Sequence, residues 1–130
     1  MLSVRKREML SNGVTGINLI AVGVVCLLPV REWLTMIVMG IYFISLICVH
    51  LYIRHCKREP WDELARENHS KAIRLTLLFI ELALLLYGMV DIIFKVSVTI
   101  NTGTIFLLFG IIQLVQTLMF LYFDYRSASV

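Results

Sequence analysis

The chain has 130 residues, 59% of them apolar and 16% charged, with a formal charge of +3. This length holds one compact unit, and the apolar share exceeds what a soluble core can absorb, which excludes an ordinary soluble domain. Nor does the positive charge point to nucleic acid, because the basic residues sit at the ends of apolar runs, where membrane topology already accounts for them.

The first apolar run, residues 13–30, follows Arg5, Lys6 and Arg7 and is placed like the core of a secretory signal. No small-x-small cleavage pattern follows it, so it reads as a retained helix. Pro29 with Arg31 and Glu32 predicts a tight turn into the second run, residues 33–53. Residues 54–71 are the longest polar stretch. Within it Pro60, Trp61, Asp62 and Glu63 carry the proline and early acids of a helix start. They predict a short amphipathic helix that lies along the membrane surface or leads into the next span, with a bend at 68–70. The third run covers residues 72–94 and the fourth 103–123, joined by 95–102, which is rich in β-branched and polar residues. The second, third and fourth runs each exceed the about 20 residues that a helix needs to cross the hydrocarbon.

The expected fold is therefore an all-α integral membrane protein, a single domain of four transmembrane helices in an antiparallel bundle. Lys and Arg number three before the first run, six from Arg54 to Arg74 and one after the fourth, against Arg31 and Lys95 in the other two connections. Ten against two places both termini and residues 54–71 in the cytoplasm. A four-span plan with no cleaved signal suggests a bacterial inner membrane.

An ionisable group inside the hydrocarbon costs a few kcal/mol, about 3 on insertion scales, so Glu81 in the third run is the most informative residue. Arg74, Glu81 and Gly88, seven apart, form a stripe that Asp91 extends and that should face protein. The fourth run carries a matching stripe of Gly103, Gly110, Gln113 and Thr117, with Gln116 beside it. Measured from the cytoplasmic ends, Glu81 lies about 14 Å in and Gln113 about 15 Å, which predicts a hydrogen bond between them. Asn18 in the first run, which shares its helix with Gly16 and Gly23, and Ser45 in the second fall in the same half. Glu81, Gln113, Gln116 and Asn18 thus form a candidate polar cluster within the membrane. It reads equally as a site that takes up and releases a proton or a cation and as inter-helix glue.

No metal or cofactor is expected. Cys26, Cys48 and Cys56 form no CxxC pair, and His50, His55 and Cys56 match no ligand spacing. There is no nucleophile elbow, phosphate-binding glycine loop or paired metal carboxylates, so no catalytic residue is assigned.

In size and span number the chain resembles the small multidrug resistance transporters, antiparallel dimers in which a membrane glutamate exchanges protons for cationic drugs. That family places its glutamate in the first helix and keeps its connections short. Here the acid is Glu81 in the third run and a long charged segment splits the chain, so the family's residue role is not carried over. The reading ranked first is a non-enzymatic accessory, regulatory or immunity-type component that binds a membrane partner. Residues 54–71 are its docking segment, with Trp61 and Leu64 as apolar anchors beside Asp62 and Glu63. The second is a homodimeric proton- or cation-coupled carrier using Glu81. The weakest is a lipid-modifying enzyme built on His50, His55 and Cys56.

Overall fold

A computed structural model describes residues 2–57, 59–95 and 99–129 of the chain. Four helices are long and apolar enough to cross a membrane: α1 (Val4–Leu27), α2 (Glu32–His55), α3 (Glu63–Phe94) and α4 (Thr102–Ala128). The described residues contain no strand, only an isolated bridge at Leu2. All four predicted spans are present. The differences lie at their ends.

α1 starts nine residues before the apolar run, because Ser3 caps it by accepting the Lys6 amide at 3.4 Å and the chain stays helical through a π-turn at Met9–Gly13. α3 begins where Asp62 accepts the Ala65 amide at 2.6 Å and runs unbroken for 32 residues. Of the two arrangements expected, the helix leads straight into the span: residues from Glu63 onward are the first turns of α3, and the helix is unbroken through 68–70. At 1.5 Å per residue α3 is about 48 Å long, against about 30 Å of hydrocarbon, so its first turns stand outside the membrane. It ends at Lys95, whose left-handed backbone (φ 52°) stops the helix. Residues 96–98 of the following connection, and Arg58 of the polar stretch, lie outside the described residues. Asn101 caps α4, accepting from the Thr104 amide at 2.9 Å.

α1 and α4 form the central pair of the bundle, with α2 against α1 and α3 against α4. The central seam is made of glycines. A Cβ on Gly16 would stand 3.0 Å from the Gly110 carbonyl oxygen, and one on Gly23 would stand 2.7 Å from the Leu107 amide and 2.9 Å from the Gly103 carbonyl. Without those side chains the two backbones close to contact, the geometry by which small residues pack helices in lipid. Along this seam Gly16 stands against Gly110 and Gly23 against Gly103. Leu19 and Val22 of α1 are also buried.

At one end of the bundle the polar segments join in a single layer. The Leu2 amide donates to the Lys57 carbonyl at 2.8 Å and the Glu59 amide to the Leu2 carbonyl at 3.1 Å. Arg5 is ion-paired with Asp124 near the end of α4. Asn68 of α3 donates to Ser127 of α4 at 3.1 Å. The N-terminus, the 56–62 connection and the last turns of α4 therefore lie together.

Candidate functional site

The residues singled out in the sequence do not form one cluster. Asn18 donates its amide to the Ser45 hydroxyl at 2.7 Å, which joins α1 to α2. Gln113 is half-buried, with its side-chain oxygen buried and unpartnered among the described residues. Gln116 is half-buried. Glu81 is exposed on α3 and makes no hydrogen bond or ion pair among the described residues, so the expected bond to Gln113 is not formed.

The reason is the way α3 packs. Its buried residues are Ala65, Asn68, Ala72 and Thr76, spaced three or four apart, which is one helical stripe against α4. Beyond Thr76 nothing on α3 is buried. Arg74 and Glu81 lie off that stripe and are exposed, whereas Gly88 and Asp91 are half-exposed farther along. The stripe of Arg74, Glu81 and Gly88 thus does not face the interior. Its supposed counterpart on α4 does, but toward a different neighbour: Gly103 and Gly110 meet α1, and Thr117 lies 3.5 Å from where a Gly13 Cβ would be. Gly13, Gly16 and Gly23 of the first run were the signal that names the true partner of that stripe.

Exposed leucines and isoleucines on α2 and α3 are what lipid requires and carry no message, because lipid tails are as apolar as they are. Glu81 is different. It lies about 14 Å past the start of the third apolar run, near the middle of the hydrocarbon, too deep for its short side chain to reach water. Arg74 and Asp91 stand nearer the two ends of the span, where polar groups are tolerated. Glu81 is thus the one carboxylate at mid-depth on an open helix face.

The proposed anchors of the 54–71 segment are mostly used within the chain. Trp61 is half-buried, with its ring 5.0 Å from His69, 6.2 Å from Phe120 and 5.2 Å from the Arg7 guanidinium. Phe120 has no exposed surface, and His69 stacks edge-on against it at 5.9 Å. Trp61 is therefore a packing residue that holds the connection down, and Asp62 is a helix cap. Glu63 and Leu64 remain exposed. His55 lies 3.0 Å from the Leu51 carbonyl through Nδ1, and the described residues contain no group of three side chains able to hold a metal. Cys26, Cys48 and Cys56 are free thiols.

No family model, curated protein or solved structure matches this chain. Chemistry at the site rests on the chain's own residues.

Proposed function

We propose that this protein is a non-enzymatic accessory, regulatory or immunity-type subunit that binds another membrane protein through the exposed intramembrane face of α3, with Glu81 in the contact. The observation that carries this reading is the exposure of Glu81 at mid-membrane depth with no partner of its own. An acid facing lipid there costs about 3 kcal/mol, which a partner helix carrying a donor removes. A second copy is a poor candidate for that partner. In the apolar runs the cations are Arg74, seven residues from Glu81 and about 10 Å along the axis, and His50, about 5 Å from the polar end of its run against about 14 Å for Glu81, and the runs of α1 and α4 carry no Lys, Arg, His, Asp or Glu. A Lys, Arg or His in a foreign helix at the depth of Glu81 supplies what this chain does not place there.

Within this reading the four helices alternate in direction, and the ten-to-two bias of Lys and Arg argues for cytoplasmic termini. Residues 54–71 form the cytoplasmic layer. Their exposed Glu63 and Leu64 are secondary contacts, and the intramembrane face of α3 is the primary one.

The test is cross-linking of the tagged chain in native membranes, followed by mass spectrometry of what co-purifies in mild detergent. We expect a foreign membrane protein in fixed ratio with the wild type and its loss with Glu81→Leu, which itself stays inserted and folded. Retention of the partner by Glu81→Leu would remove Glu81 from the interface. Self-cross-links alone would favour the homodimeric carrier, whose signature is transport abolished by Glu81→Gln.

A further inference from the structure

A cleft of ≈ 400 Å³ opens between α1 and α2 where both helices reach the polar layer, lined by Arg7, Ser11, His50, Ile53 and Arg54. Arg7 and Ser11 are one turn apart on α1, and His50 and Arg54 are one turn apart on α2, so each helix presents a basic group and a second polar group to the same space. Among the described residues no carboxylate lines it. Among the described residues the ion pairs are Arg5 with Asp124 and Lys71 with Glu67, which leaves Arg7, His50 and Arg54 without an acidic partner. Arg7 and Arg54 both line the cleft and their like charges repel, so an anion seated between them reverses the sign of that interaction.

The depth of the cleft narrows the choice of anion. Arg54 directly follows the second apolar run and Ser11 precedes the first by two residues, so the cleft lies at the membrane boundary whichever side of the membrane it faces. Lipid phosphates occupy that level. Guanidinium forks bind phosphate oxygens in pairs, Ser11 adds a hydroxyl donor and His50 an imidazole N–H. Ile53 offers an apolar wall for the glycerol end of a lipid. Basic pockets between transmembrane helices at this level take anionic headgroups.

We infer that Arg7, Ser11, His50 and Arg54 form a binding site for a phosphate group, presented by the headgroup of an anionic phospholipid. The site stands apart from α3 and does not depend on the docking role of Glu81. Arg54 is the residue to test, since Arg7 also covers Trp61 and its loss would disturb packing.

The experiment is native mass spectrometry of the full chain in non-ionic detergent, titrated separately with phosphatidylglycerol, phosphatidylcholine and inorganic phosphate. Arg54→Gln, Arg54→Lys and Arg126→Gln are compared with the wild type, and circular dichroism checks that each is folded. The expected result is retention of phosphatidylglycerol over phosphatidylcholine, weakened about tenfold by Arg54→Gln, partly restored by Arg54→Lys and unchanged by Arg126→Gln, an exposed cation outside the cleft. Inorganic phosphate that binds alone and displaces the lipid at equal concentration would keep the phosphate site and overturn its lipid source. Equal retention of phosphatidylglycerol by wild type and folded Arg54→Gln would overturn the site itself.

Discussion

Gly23 and Gly110 set the distance between the two central helices. A methyl group on Gly110 would lie 2.7 Å from the Gly16 carbonyl oxygen, a backbone atom that can retreat only if the helix moves. Gly110→Ala is expected to destabilise the folded chain by about 1–3 kcal/mol, the usual cost of overpacking, read as a lower midpoint in thermal unfolding in detergent. Gly88→Ala is the control, since nothing lies within 4 Å of its added methyl; it should leave the midpoint unchanged or raise it slightly through better helix propensity. Equal loss in both variants would mean that close approach at the seam does not govern the effect, since propensity alone would raise both midpoints. The same residues show how far a sequence speaks. Spacing of seven shows that Gly103, Gly110 and Thr117 share a face, but it cannot name the helix opposite. Gly16 and Gly23, with the same spacing, were the complementary face, and depth matching drew Glu81 to Gln113 instead. Asn18 followed the same rule: the need for a polar partner was legible, and the choice of Ser45 was set by α2 packing on α1.

As an element, α3 has two parts with different duties. From Glu63 to Thr76 it is fastened to α4 by Asn68 with Ser127 and by the Trp61, His69 and Phe120 rings. From Leu77 to Phe94 none of its residues is fully buried. Removing the fastening should free the inner part selectively. Phe120→Ala is expected to cost about 3–5 kcal/mol, the range for deleting a buried phenyl ring. In hydrogen exchange it should raise the exchange of amides 61–69 well before those of the α1–α4 seam. Exchange rising equally in both regions would show that the ring cluster and the seam unfold as one unit. The bend expected at 68–70 has its explanation here. Asn, His and Ser are weak helix formers, and weak propensity is overruled when a side chain finds a partner; Asn68, with about 1% of its surface exposed, is held by Ser127. The start of the helix, by contrast, was legible, because Pro60, Asp62 and Glu63 form a local capping signal that needs no tertiary partner.

For the whole molecule, the polar layer and the charge bias make one joint prediction. Hydrogen bonds from Leu2 to Lys57 and from Glu59 to Leu2, with the Arg5 to Asp124 pair, bind the N-terminus, the central connection and the end of α4 to one another. These three must therefore share a side of the membrane, and the bias of Lys and Arg predicts that this side is the cytoplasmic one. In a background with Cys26, Cys48 and Cys56 replaced by alanine, single cysteines at Lys6, Lys57 and Ser129 are expected to resist a membrane-impermeant maleimide on intact cells and to react once the membrane is opened. Thr99→Cys, in the connection between α3 and α4, should react on intact cells. The four sites separate two physical claims. Reversal of all four together would leave the layer intact and place the cause in a charge bias outweighed during insertion. Labelling of one or two of the first three sites alone would break the layer, because a main-chain hydrogen bond between Leu2 and Lys57 cannot span the bilayer.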